Sequence, residues 1–260
     1  MIKLHYFNPQ TGRGKHNFGD MLAPIIIEWV SGQKTEYVEA RTPGKVLCIG
    51  SELVGGKSLQ RNDLVWGYGA NRPKEIEAPG GSTFLMFRGK NTAKLVTNIQ
   101  DPKVYGDPAL LMPLIYQPKM KKKHSIGLIS HYIDKKRFAH INNKQILKID
   151  INDNVYKIID QMNMCEVLIS TSLHGCIVAE AYGVPVVWVQ ASTKVVGMEF
   201  KWNDYLSGTG RNPQKPIKML HDKIININLL NAAKKPLPKP VINTEPMIQA
   251  WRSYFGDIKK

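Results

Sequence analysis

The chain alternates short, almost wholly apolar runs with stretches that suit helices, and this alternation is what most restricts its fold. The runs are KLHYF, KVLCIG, DLVWGYG and TFLMF in the first part and SIGLIS, QILKID, EVLIS and VPVVWV in the second. Strand-sized runs separated by helical segments predict an α/β protein. Val46 to Ile49 and Val186 to Val189 carry no polar face, which suits parallel strands covered by helices on both sides. Between the two sets, PLIYQPKMKKKH combines two prolines with a lysine run and follows neither hydrophobic period. A boundary is therefore expected near residue 118, with one α/β domain over 1–118 and another over 119–260. Beyond a proline-rich connector, Met247, Ile248, Trp251 and Phe255 are spaced to share one face of a C-terminal helix. That face needs a surface to cover it, and the first domain is the candidate.

A chain of 260 residues is long enough for two such domains. It has no apolar run of roughly 18 residues, so no membrane span is expected. The N-terminus MIKLHYFNPQ has neither an apolar core segment nor a small-residue cleavage site, which predicts a cytoplasmic protein. Cys48, Cys165 and Cys176 are an odd number without CxxC spacing, pointing to reduced core thiols and away from a disulfide framework or a metal site. The formal net charge of +15 gives a positive field that attracts nucleic acid, anionic lipid headgroups or a polyanionic small substrate. Its local runs, Lys121 to Lys123 and Lys135 to Arg137, suit solvated surface or peripheral contact with the anionic inner face of a membrane. Neither an RNA-binding aromatic signature nor a helix-turn-helix pattern is present, so nucleic acid is the least favoured partner.

In parallel α/β proteins, ligands gather beyond the carboxyl ends of strands, where loops enter helix N-termini with unpaired N–H groups. Three stretches fit. In HNFGDMLAPIII, Asp20 either caps a helix or, with Asn17, faces a cleft and holds a substrate hydroxyl. In CIGSELVGG, Gly50 and Ser51 follow a buried strand, and the glycine lets backbone approach a ligand. In STSLHGCIVAEAYGVPVVWV, a strand passes through the capping turn Thr171-Ser172 into a helix of small and apolar residues that Gly183 and Pro185 end. His174 then falls in the first helical turn. The positive helix end disfavours imidazolium and a bound phosphate favours it, so an anionic substrate would create its own proton donor. A histidine that merely caps the turn is the alternative.

Those stretches, together with VLCIGSEL, DLVWGYG, FRGKNTAKL, VYGDPALLMP, IGLISHYID and STKVVGMEFKWNDYLSGTGR in this order, resemble the polysaccharide pyruvyltransferases. The resemblance implies two Rossmann-like domains in a GT-B-like arrangement with the active site in the interdomain cleft. It implies transfer of the pyruvyl unit of phosphoenolpyruvate onto two hydroxyls of a glycan or lipid-linked sugar, with no cofactor beyond that donor. It makes His174 the general acid/base and Arg88, in FRG, a ligand of the donor's carboxylate or phosphate. The second domain would hold the donor, and the first, through Asn17, Asp20 and Ser51, the acceptor. One position departs from the family pattern: many members carry arginine where this chain has Ser172. Ser172 and the helix N–H groups can hydrogen-bond phosphate, but the missing charge would have to come from Arg88, His131, Lys194 or Arg211. A GT-B glycosyltransferase using a nucleotide sugar is the rival reading.

Overall fold

In the computed structural model, which describes residues 1–7, 17–54, 58–220 and 224–256, every pairing between the strands is parallel. The first half holds β1 (Ile2–His5), α1 (Phe18–Ser31), β2 (Thr35–Tyr37), β3 (Val46–Leu47), β4 (Leu64–Trp66), β5 (Ile76–Glu77), β6 (Thr83–Met86), α2 (Lys90–Ala93), β7 (Val96–Thr97) and α3 (Met112–Ile115). A 3-10 turn at Pro108–Leu111 precedes α3. The second half holds β8 (His124–Ile129), β9 (Ile146–Ile149), α4 (Val155–Asn163), β10 (Cys165–Ser170), α5 (Leu173–Ala181), β11 (Val186–Gln190), α6 (Met198–Gly208), β12 (Ile217–Lys218), α7 (Asn226–Ala232) and α8 (Glu245–Phe255).

Two five-stranded sheets result, ordered β2-β1-β3-β4-β6 and β9-β8-β10-β11-β12, with β5 and β7 as a separate pair. Counted from its own first strand, each sheet has the same order: second, first, third, fourth, fifth. The chain is thus an α/β protein with two parallel sheets of the Rossmann-like kind. Each of the eight apolar runs supplies a strand. The strands without a visible pattern, β2, β5, β7 and β12, are only two or three residues long. Among the described residues no helix is long and apolar enough to cross a membrane.

The helix α5 is buried from Leu173 to Glu180, as expected of a helix without a polar stripe. Its small residues Gly175, Cys176 and Ala179 let it settle between sheet and neighbouring helices. The last helix, α8, returns to the first sheet. There Trp66 Nε1 donates to the Met247 carbonyl at 3.0 Å, and Trp251 meets Trp66 edge to face at 5.0 Å. Met247, Ile248 and Trp251 are buried, whereas Phe255, expected on the same face, lies at the rim and stays 45% exposed while stacking on Trp251.

A second tie between the halves is polar and closed to solvent. Arg88, just past β6, and Asp204, on α6, have fully buried side chains. Arg88 Nε donates to Asp204 Oδ2 at 2.9 Å, and Nη2 lies at the same distance from that oxygen. Thr92 completes the carboxylate's shell through its N–H and its hydroxyl, each at 2.7 Å. The backbones close in around the pair, since a Cβ at Gly89 would lie 1.7 Å from the Asp204 carbonyl oxygen. Removing one partner of a buried ion pair leaves an uncompensated charge. Arg88→Ala should therefore cost about 3–5 kcal/mol of stability in urea unfolding; a loss below about 1 kcal/mol would show that the pair does not hold the halves together.

Candidate functional site

A cavity of about 230 Å³ lies where the carboxyl ends of both sheets meet. In each sheet the chain leaves the first strand toward one edge for the second and toward the other for the third, which opens a crevice between first and third strands. For the first sheet that crevice lies between β1 and β3, and the cavity is lined by Phe7 after β1 and by Gly50, Ser51 and Glu52 after β3. In the second it lies between β8 and β10, and His131 and Tyr132 after β8 and Ser172 and His174 after β10 line the opposite side. Equal topology in the two halves thus brings both switch points to one space.

Three helices begin at this cavity. Asn17, the N-cap of α1, lines it, as do Ser172, the N-cap of α5, and Val195 and Val196 just before α6. Each helix start contributes free N–H groups and a partial positive charge, so their convergence favours an anion in the cavity. His174 sits in the first turn of α5, nine-tenths buried. The Nδ1 side of its ring packs closely against the start of α1: a Cβ at Gly19 would lie 2.0 Å from His174 Nδ1. Only glycine leaves room for the ring there. On the ring's other edge, Nε2 lies 3.5 Å from Asp107 Oδ2.

Of the two readings open for Asp20, cap or cleft-facing group, its position in the structure is the second. The cap position belongs to Asn17, and Asp20, third in the helix, accepts from Asn17 Nδ2 at 2.5 Å while lining the cavity. Burial pushes its carboxyl up to about 7, against the opposing pull of His174 and of the Asn17 amide. Ser51 and Ser172 also line the cavity, and Ser172 Oγ accepts from Gly175 N at 3.4 Å.

The four cations expected to supply the missing charge are placed differently. Arg88 is behind the wall: Nη1 donates to Ser51 Oγ at 2.5 Å and to the Gly50 carbonyl at 3.3 Å, and Nη2 to the Ala70 carbonyl at 2.8 Å. With Asp204 these occupy all five of its donors, and it does not line the cavity. Arg211 is forked onto Glu180 at 2.6 and 2.8 Å, away from the cavity. Lys194 is exposed and stops one residue short of the lining. His131 does line it, but burial and then Lys201 push its ring down to about 4, so at neutral pH it is an uncharged hydrogen-bonding group.

Lys201 is the cation that sequence reasoning missed. It lies in the first turns of α6 and is the one lysine or arginine among the described residues that line the cavity. Burial and then Arg88 push its ammonium down to about 8, with Asp20 and Glu52 opposing. It therefore remains largely protonated at neutral pH. Nothing local distinguishes it from the other 35 of the chain's 36 basic residues; only its place at the start of α6 does.

Asp20 gives the site a measurable signature. Unfolded, the group ionises near 3.8; folded, it keeps its proton to about 7. The folded state takes up a proton between these values, so the contribution of Asp20 to stability is fullest below about pH 4 and is lost as the pH rises through 7. Asp20→Asn removes this titration. Its urea stability relative to wild type should improve by roughly 2–3 kcal/mol between pH 5 and pH 8, and a difference independent of pH would mean that Asp20 is ionised throughout.

A family model described as polysaccharide pyruvyl transferase matches residues 68–192, a span that contains Arg88, Asp107, His131, Ser172 and His174. An uncharacterized protein of Acanthamoeba polyphaga mimivirus is 34% identical over 235 residues, covering 80% of this chain and 75% of its own length. A succinoglycan biosynthesis protein, ExoV, of Rhizobium meliloti is 23% identical over 213 residues, covering 80% of this chain and 65% of its own. No solved structure matches the chain. The order of motifs, the paired parallel sheets and the histidine at the start of α5 agree with these matches, and the chain belongs to the polysaccharide pyruvyl transferase family.

Proposed function

We propose that the cavity transfers the pyruvyl unit of phosphoenolpyruvate onto two hydroxyls of one sugar, in a polysaccharide or a lipid-linked precursor, and releases phosphate. The observation that carries this reading is the convergence of His174, Lys201 and three helix N-termini on a single cavity. Donor carboxylate and phosphate are both anions, and the wall formed by Ser172, His174, His131 and Lys201 suits them. The facing wall, with Asn17, Asp20, Glu52 and Asn71, is rich in hydrogen-bonding groups for sugar hydroxyls. The two halves then act as in a GT-B-like arrangement, donor on the second and acceptor on the first.

The reaction needs two proton movements. Protonation of carbon 3 by His174 turns the methylene of the donor into a methyl and leaves an oxocarbenium-like carbon 2, which the first sugar hydroxyl attacks. Loss of phosphate restores the electrophile, and the second hydroxyl closes the ketal. Of the two hydroxyl protons, one in net terms ends on carbon 3 and the other leaves with phosphate. Asp20, with a carboxyl near 7, is suited to accept a hydroxyl proton, and a bound dianion beside His174 favours the imidazolium that donates one. Lys201 and the helix ends stabilise the leaving phosphate. The acceptor face and the charge of +15 are compatible with a lipid-linked acceptor at an anionic membrane surface.

Incubation with phosphoenolpyruvate and a panel of aryl or lipid-linked glycosides should yield a mass gain of one pyruvate ketal and one phosphate per product. Transfer from a nucleotide sugar, with phosphoenolpyruvate inert, would replace this reading with a glycosyltransferase. His174→Gln should lower kcat by about 100- to 10,000-fold, the range for loss of a positioned acid. Lys201→Met should act on donor binding, raising the donor KM roughly 10- to 100-fold, as expected for one charged hydrogen bond. An unchanged donor KM in a folded Lys201→Met protein would remove Lys201 from the anion site.

A further inference from the structure

We propose that Asp107 is the positioning residue for His174: its carboxylate holds the proton of the neutral ring on Nε2 and turns Nδ1 into the nitrogen that exchanges protons with substrate. The chemistry rests on the pyruvyl-transfer reading above, whereas the geometry does not.

Asp107 follows the bridge that joins Phe87 to Tyr105 and caps the 3-10 turn at Pro108–Leu111. Its Oδ1 is used for that cap, accepting from Ala109 N at 2.9 Å. Oδ2 is buried and has no hydrogen-bond partner, and the same is true of His174 Nε2. These two orphaned atoms face each other at 3.5 Å. A shift of about half an ångström would bring them to ordinary hydrogen-bond distance. Buried polar atoms left unpaired are costly, so each has reason to take the other as partner.

A neutral imidazole carries one N–H. On Nε2, it pairs with the carboxylate and satisfies both orphans. On Nδ1, it would leave the Nε2 lone pair pointing at a carboxylate oxygen, which is repulsive. The tautomer is thereby chosen. The His174 side chain retains 11% of its exposure although Nε2 has none, so the edge that opens on the cavity lies away from Nε2. The Nδ1 edge is bordered by the backbone of α1 at Gly19, where a Cβ would come within 2.0 Å of Nδ1, so glycine there spares that nitrogen a side chain from position 19. Asp107 belongs to the first half and His174 to the second, so the orientation of the ring is set by the half that does not carry it. During transfer the carboxylate stabilises the imidazolium without itself taking the proton, as in other Asp–His pairs.

The test uses the full chain labelled with 15N-histidine, the His174 signal being identified by its loss in His174→Gln. At a pH where the ring is neutral, wild type should show the Nε2–H tautomer. Asp107→Asn keeps the size and the acceptor for Ala109 N, but it can present an N–H to Nε2. It should shift His174 to the Nδ1–H tautomer and lower kcat by about 100- to 10,000-fold, with the donor KM changed less than about threefold. An Nδ1–H ring in wild type overturns the proposal without recourse to any variant. So does a folded Asp107→Asn protein that keeps the wild-type tautomer and a kcat within threefold. If the tautomers behave as expected while phosphoenolpyruvate is not consumed by wild type, the Asp107–His174 pairing stands and the pyruvyl-transfer reading falls.

Discussion

The geometry of the cavity depends on one buried ion pair, Arg88 with Asp204. Two charges removed from water are tolerated only when every donor and lone pair is used, and here the guanidinium reaches Asp204, Ser51, Gly50 and Ala70 together. Those partners are the elements that form the cavity wall. Gly50 and Ser51 belong to the loop after β3, Ala70 precedes Asn71 in the loop after β4, and Asp204 lies one helical turn beyond Lys201 on α6. The arginine thus acts on the site from behind, fixing backbone and helix in register and adding its charge to the forces that lower the Lys201 ammonium.

Around that frame the site sets its own charges. The chain carries +15 overall, yet the cavity is no basic pocket: Asp20 and Glu52 face it beside Lys201. Burial moves Asp20 toward its neutral form and Lys201 toward its own, so both groups titrate near neutrality instead of far from it. Such convergence suits proton exchange better than permanent ion pairing. On the proposed reading, the distant surface lysines would supply long-range attraction for the anionic donor, and the helix ends and Lys201 the short-range contacts.

Much of the fold was legible because its signals are local. Wholly apolar runs such as Val46 to Ile49 form strands buried on both faces, and Ser172 before Leu173 marks the start of α5. His174 could be placed in a first helical turn from capping residues alone. For Asp20 two readings were open, helix cap or cleft-facing group, and Asn17 holds the cap position while Asp20 lines the cavity. One short-range reading went astray for a physical reason. Phe255 looked like a core residue by spacing, but the surface it would cover ends at Trp251.

By itself the sequence determined a twofold parallel α/β chain and the entry of His174 into an anion-favouring helix end, since hydrophobic period, capping and strand length act over a few residues. Which cations would meet a ligand was decided by tertiary structure. Arg88 and Arg211 find carboxylates 116 and 31 residues away and are neutralised by them, whereas Lys201 has the cavity before it. The pairing of His174 with Asp107 is of the same kind. A charge takes whichever partner packing brings within a few ångströms, and that distance is set by how two sheets close on each other.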